Sequence, residues 1–320
     1  MSLSICIPTY NRADFLYQLL KNIKDNAIGF EDFFEVVVSD NNSNDNTKDI
    51  VTEFINQNKH ISCKYIKQSE NIGPENNFYF VASQASYKYL IVLGDDDKIS
   101  DDFFEAILKY EKEDIDTFIL NFSVFNLDFS KCTKEEMYSF KEDMLFTDKN
   151  QVLETFGPGP SFISSIILKK ELFEKISQSE YSIFNKYGFS FLFLVYLSIS
   201  NKKDLKVMYL KDTLILQRSG NSSIADFDEQ FFTGQCLVFE ELMGYGYSQE
   251  AIKKAKNSTL TNYGIWRIKD IKFKGDSPVK LLEILVEKYK FHYYTWTILV
   301  PLLLVPQFVH RFLRLIKSKL

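Results

Sequence analysis

Over the first 110 positions the apolar residues alternate between two patterns. Short apolar runs at Leu3–Ile7, Val36–Val38, Ile61–Ile66 and Tyr89–Leu93 read as strands. Between them apolar residues recur at helical spacing: Phe15, Leu16, Leu19, Leu20, Ile23 and Ala27, then Ile50, Val51, Phe54 and Ile55. Gly73-Pro74 opens a third helical segment that runs to about Ser86, and Phe103, Phe104, Ile107 and Leu108 mark a fourth with Asp101 and Asp102 in its first turn. Strictly alternating strands and helices imply an α/β fold, a mainly parallel sheet flanked by helices. Ligands of such sheets bind beyond the carboxyl ends of the strands. Pro8–Arg12, Asp40–Asn46 and Gly94–Asp97 are polar loops at those ends.

Beyond Leu120 the pattern is less regular. Gly157-Pro158-Gly159-Pro160 is a rigid break before a strand at Phe162–Leu168, and Phe189–Ile199 reads as a very apolar helix. Leu205–Leu216 reads as two short strands around a Lys211-Asp212 turn, and Asp226 to Tyr289 is helical. This organisation divides the chain into a domain over 1–225, with halves 1–110 and 111–225, and a helical region over 226–320.

The C-terminus changes character. Tyr293–Val309 has no charged residue and contains Trp296, Leu299, Leu302, Leu303 and Leu304, with Pro301 and Pro306 interrupting it. Arg311, Arg314, Lys317 and Lys319 follow among apolar neighbours. A spanning helix needs about 20 apolar residues, so 293–320 reads as an interfacial segment lying in the membrane surface. Its alternative is a helix buried against the domain.

Composition narrows the function classes. A net charge of −5 over 320 residues gives no global reason to expect nucleic acid. Cys6, Cys63, Cys132 and Cys236 lack zinc or redox spacing and read as reduced thiols of a cytoplasmic protein. No basic stretch followed by an apolar one precedes Leu3, so no secretory signal is expected.

The strongest chemical signal is Gly94-Asp95-Asp96-Asp97 at the tip of Tyr89–Leu93. Adjacent carboxylates repel, and a divalent cation relieves that repulsion while keeping positions open for phosphate oxygens. On an extended backbone residues i and i+2 point the same way, so Asp95 and Asp97 could share one Mg²⁺ or Mn²⁺. The competing reading is a solvated acidic turn.

Four blocks resemble the inverting glycosyltransferases of family 2, which have the GT-A fold: Ser4–Arg12, Val36–Thr47, Asn71-Ile72-Gly73 and Gly94–Asp97. The resemblance covers about the first 110 residues and implies transfer of a sugar from a nucleoside diphosphate donor. By position, Pro8, Thr9, Tyr10 and Arg12 would line the nucleotide pocket, with Asn71 and Gly73 beside them. Asp40 would accept a hydrogen bond from the base, most simply a uracil N–H. Asp95 and Asp96 would lie at the donor, Asp95 near the ribose, and Asp97 would ligate the metal.

Inversion needs a base for the acceptor proton, which the family usually supplies as an acid just before a helix in the second half. Here the matching Tyr187–Leu192 has none, and Glu180 is the nearest upstream carboxylate. Arg218, in Gln217–Ser223, could give a charge-assisted contact to the diphosphate. The expected partners are a nucleoside-diphosphate sugar, most simply a UDP-sugar, and a glycan acceptor carried on a lipid, at the inner face of the cell membrane. The competing function is a silent glycosyltransferase-like subunit that binds donor, or scaffolds a membrane assembly, without turnover.

Overall fold

A computed structural model describes residues 2–220 and 228–305. The elements begin β1 (Leu3–Thr9), α1 (Ala13–Asn26), β2 (Phe34–Asp40), α2 (Thr47–Gln57), β3 (Ser62–Lys67), α3 (Pro74–Ser83) and β4 (Tyr89–Val92). They continue with β5 (Lys98–Ile99), α4 (Phe103–Leu108), β6 (Thr117–Phe125), β7 (Cys132–Lys134), β8 (Met144–Phe146) and α5 (Lys149–Phe156). Then come β9 (Ile166–Lys169), α6 (Lys170–Phe173), α7 (Gln178–Tyr181), α8 (Ser190–Ser200) and β10 (Val207–Arg218). The chain forms two units: Met1–Lys149 with Pro160–Asn185 and Ser190–Ser223, and Asn150–Gly159 with Lys186–Phe189 and Ile224–Leu320.

The first unit is a GT-A-type α/β fold built on one sheet of order β3-β2-β1-β4-β9-β6-β10-β5, with β7 on β6 and β8 on β10. The strands β3, β2, β1 and β4 are parallel, and Ile5 of β1 stands beside Val36 of β2 and Ile91 of β4. This is the stretch where the sequence alternates strand and helix. Next, β9 runs antiparallel to both β4 and β6, so its first residues return to the carboxyl end of β4. Helix α1 buries Leu16, Leu19, Leu20 and Ile23, one stripe at helical spacing. That stripe shares a core with Ile5, Ile7, Val36, Val38, Ile91 and Leu93. Burying each such side chain contributes about 1.5–3 kcal/mol, so this half of the sheet is a firm base for its loops.

Three details differ from the sequence pattern. Asp101 and Asp102 precede α4 rather than lying within it, and Asp102 is its N-cap. Phe162–Ser165 is a tight turn, so β9 starts only at Ile166. Val207–Arg218 is one strand, because the exposed Lys211-Asp212 pair forms a bulge against β6 rather than a reversal.

The second unit is helical, with α9 (Gly234–Glu241), α10 (Gln249–Thr259), α11 (Ile265–Lys274), α12 (Val279–Lys288) and α13 (Val300–Leu304). Its core holds Phe232, Phe239, Leu242, Leu260, Leu285 and Tyr289, and the Tyr289 hydroxyl donates to the Phe232 carbonyl at 2.7 Å. Arg267 grips Asp228 through two hydrogen bonds of 2.6 and 2.9 Å. In the segment that starts at Tyr293, Leu299 and Leu303 are buried while Tyr293 and Leu304 are exposed. The basic part of the expected membrane segment, with Arg311, Arg314, Lys317 and Lys319, lies outside the described residues. Among the described residues no helix is long and apolar enough to cross a membrane.

Candidate active site

The three polar loops meet at the carboxyl ends of β1, β2 and β4. Two of them clasp directly. The Asn11 N–H donates to Ser43 Oγ at 2.9 Å, and the Asn44 N–H donates to Asn11 Oδ1 at 2.8 Å. Asn11 and Asn42 adopt left-handed backbone, which asparagine tolerates better than most residues. The third block joins through Asn71, whose Oδ1 accepts from Asn41 Nδ2 and from the Gly73 N–H, each at 2.9 Å. Gly73 has φ of +83°, a conformation that favours glycine, and it leads into α3.

The acidic run is a turn rather than an extension of β4. The strand ends at Val92, and the Asp97 N–H returns to the Gly94 carbonyl at 3.2 Å. Asp95 and Asp97 therefore do not project as strand residues i and i+2. Each has its own partners instead. Asp95 accepts from Thr9 Oγ1 at 2.7 Å and from Arg12 Nη1 at 3.2 Å. Asp96 accepts from Arg12 Nη1 at 3.1 Å. Asp97 accepts from Ser164 Oγ at 2.6 Å and from the Arg218 N–H at 3.0 Å. The turn leaves no room for a side chain at its first position, since a Cβ on Gly94 would lie 2.9 Å from Asp97 Oδ2.

The electrostatics of this turn are unbalanced. Asp95 and Asp97 are only 4 % exposed. Burial, and then the neighbouring Asp96, push the Asp95 carboxyl up to about 6 against the pull of Arg12 and Thr9. The same two causes raise Asp97 well above the usual carboxylate range.

Other expected residues take the following places. Thr9 and Arg12 touch the acidic turn, Tyr10 between them in sequence is 41 % exposed, and Pro8 is buried in β1 opposite Ser39. Asp40 is fully buried. Its Oδ1 accepts from the Ser43 N–H at 2.7 Å and its Oδ2 from the Tyr65 hydroxyl at 2.6 Å, so the carboxylate shapes its own loop. Arg218 lies against the acidic turn, but its guanidinium is committed. It donates to the Asp96 and Leu127 carbonyls and to Gln18 Oε1, and lies between the rings of Phe15 and Phe129. Glu180 is spent elsewhere: it closes a capping box with Ser177 at the start of α7, bonding the Ser177 N–H at 2.9 Å and hydroxyl at 2.6 Å.

Two further polar residues of this unit are not evident from the sequence pattern. Ser164 accepts from the Gly94 N–H at 2.9 Å while donating to Asp97, and so pins both ends of the turn. Glu75, in the first turn of α3, is a buried carboxyl that accepts from the Tyr181 hydroxyl at 3.1 Å.

These carboxylates suit a hard cation. Mg²⁺ and Mn²⁺ take oxygen ligands, usually one or two protein carboxylates with phosphate oxygens and water. Among the described residues no three acidic, histidine or cysteine side chains are grouped so that they could hold a metal ion by themselves.

Residues 4–177 match the sequence profile of glycosyl transferase family 2, and the chain belongs to that family. It is a glycosyltransferase. The chain is 28% identical over 235 residues to abequosyltransferase RfbV of Salmonella typhimurium, covering 70% of this chain and 68% of that protein. It is 27% identical over 184 residues to the GalNAc(5)-diNAcBac-PP-undecaprenol beta-1,3-glucosyltransferase of Campylobacter jejuni, covering 58% of this chain but only 52% of that protein. The fold resembles S. aureus TarS 1-349 in complex with UDP-GlcNAc, with a TM-score of 0.65 and 17% identity over 91% of this chain and 81% of that one.

Proposed function

We propose that the protein moves a sugar from a nucleoside diphosphate donor to a hydroxyl of a lipid-linked glycan, with inversion at the anomeric carbon. The observation that carries this reading is the buried acidic turn at the strand ends, with the Asp95 and Asp97 carboxyls pushed up, clasped by Thr9, Arg12 and Ser164. A divalent cation would be held by Asp97 and Asp95, and when bound it stabilises negative charge on the departing diphosphate. Thr9 and Arg12 hold Asp95 in place, and the Arg218 N–H and Ser164 hydroxyl orient Asp97. Asp96, Asn71 and Gly73 belong to the loops that line the donor pocket, and exposed Tyr10 is free to lie along the base. Arg218 acts by building the turn and sets positive charge beside it.

A uridine donor is the reading carried by the match of the Pro8–Tyr10 and Asp40 loops to the family's nucleotide pocket, with TarS holding UDP-GlcNAc as a fold-level parallel. The lipid-linked acceptor follows the Campylobacter relative, named for a glycan on PP-undecaprenol. The domain over 1–225 would do the chemistry. The helical region over 226–320 would bring it to a membrane surface, with Tyr293, Trp296 and Leu304 exposed.

A panel of uridine, cytidine, guanosine and thymidine diphosphate sugars with Mn²⁺ tests this reading. The expected result is binding of one uridine donor and its turnover on a lipid-linked acceptor pool. Donor binding without any turnover would point to the silent subunit instead.

A further inference from the structure

Glu180 is committed to capping, and Tyr187–Leu192 carries no acid, so the transfer reaction still needs a proton acceptor. One carboxyl in the first unit is placed for it. Glu75 is buried, 8 % exposed, in the first turn of α3. That helix begins at the same rim as the donor loops: Asn77 Nδ2 donates to the Ser39 carbonyl at 3.1 Å, and Ile72 is held by Asn41 at 2.8 Å. Just before Glu75 the rim is open, since a Cβ on Gly73 would meet nothing within 4 Å. The Glu75 carboxyl is held by the Tyr181 hydroxyl at 3.1 Å and faces the backbone N–H and hydroxyl of Ser190, the first residue of α8. Helix α8 is the helix before which the family's acid is expected. A carboxyl from α3 thus stands at the start of α8 where α8 has no acid of its own.

We propose that Glu75 is the proton acceptor for the acceptor hydroxyl. The proposal rests on the glycosyltransferase reading above. In the step it serves, the acceptor oxygen forms a bond to the anomeric carbon and gives its proton to the Glu75 carboxylate. The bond from that carbon to the diphosphate oxygen breaks, and its electron pair leaves with the nucleoside diphosphate. Tyr181 and Ser190 are positioning residues that fix the carboxyl at the start of α8.

The surroundings of Glu75 suit this role. Burial pushes its carboxyl up to about 7, against the hydrogen bonds from Tyr181 and Ser190. Among the described residues the groups acting on it are those two, with no cation among them. Tyr79, on the same helix, packs on the Tyr181 ring at 5.0 Å, and the Glu180 carboxylate acts on Tyr79 rather than on Glu75. A general base works best with its pKa near the operating pH. The carboxylate form is the active one, so turnover should rise with pH and level off above about 7.

The test uses the full chain with Mn²⁺, the donor that the panel selects and a lipid-linked acceptor pool. Glu75→Gln should lower kcat by about 100-fold or more, the range typical of a lost general base, while donor affinity measured by calorimetry stays within about threefold. Tyr181→Phe removes a hydrogen bond that lowers the Glu75 pKa, so the acid limb of the rate profile should move to higher pH. A purely structural Glu75 would not tie that limb to Tyr181. Should Glu75→Gln fold poorly, the Tyr181→Phe profile alone decides. A kcat retained within about fivefold in Glu75→Gln, or an acid limb unmoved in Tyr181→Phe, overturns the proposal. Either result leaves the glycosyltransferase reading standing, because that reading is judged on turnover by the unaltered protein.

Discussion

The two ends of the sheet both bury aspartates, in different company. At the amino end Asp116, only 1% exposed, meets Lys169 at 3.4 Å and Lys202 at 3.1 Å. Lys169 also reaches Asp114 at 2.9 Å, and Lys88 meets the same Asp114 at 2.8 Å. With Glu171, 3.8 Å from Lys169 and 3.7 Å from Lys202, three acids meet three lysines there, and hydrogen bonds from Lys88 and Lys169 bring the exposed Asp114 carboxyl down to about 2. At the carboxyl end Asp95, Asp96 and Asp97 crowd one turn, and Arg12 meets Asp95 at 3.2 Å and Asp96 at 3.1 Å. The Asp95 and Asp97 carboxyls are pushed up, not down. A folded chain normally pairs its buried charges, since an uncompensated one is destabilising. The amino end obeys that rule by itself. At the carboxyl end two buried carboxyls stay raised beside Arg12, and perturbed groups of this kind cluster at functional sites.

The largest effect should come from Asp97. Asp97→Asn should lower sugar transfer by orders of magnitude, because the developing charge on the diphosphate loses its stabilisation. Thermal melting of the ligand-free variant should match the parent or exceed it, since one buried negative charge is gone. Transfer near the parent level would put the site elsewhere.

Lys169→Met should show the opposite profile. It leaves Asp116 buried with a single lysine and should cost about 3 kcal/mol of stability, read from denaturant midpoints. Donor affinity should be unchanged. A loss of donor affinity without a loss of stability would contradict the structural role given to the amino end.

The smallest effect concerns pH. The folded Glu75 pKa of about 7 lies above its ordinary value of 4.5, so the folded state holds this proton more tightly than the unfolded one. That contribution is complete below about 4.5 and is lost as pH rises through about 7. Relative to the parent, Glu75→Gln should therefore gain stability between pH 5 and pH 8, on the order of 1–3 kcal/mol. Urea melts at the two pH values check this, and a relative loss at pH 8 would show that Glu75 is ionised and paired in the fold.

The parallel half of the sheet was legible in the sequence because local pattern and tertiary role agree there. Leu3–Ile7 and Tyr89–Leu93 are apolar runs that are indeed buried, and the α1 stripe packs on them. The position of the polar loops followed from that alternation alone. Elsewhere the determining contacts are distant. Lys211-Asp212 has the polarity of a turn, and only pairing with β6 makes it a bulge. Ser164 looks like any serine before an apolar run, and its link to Asp97 spans 67 residues. Glu75 reads as an ordinary acid in a first helical turn, where the helix dipole favours it. Tyr181, 106 residues later, makes it a buried group. Glu180 is the converse case: it stands near the expected base position in sequence, while its carboxylate closes a capping box with Ser177.

The most direct test of the contrast between the two ends is the metal dependence of donor binding. Calorimetry would compare the parent and Asp97→Asn, titrated with the selected nucleoside-diphosphate sugar in Mn²⁺ and in EDTA. The account predicts tight binding by the parent in Mn²⁺, and weak binding both in EDTA and in the variant. Equal affinity in all these conditions, with transfer persisting in EDTA, would contradict it.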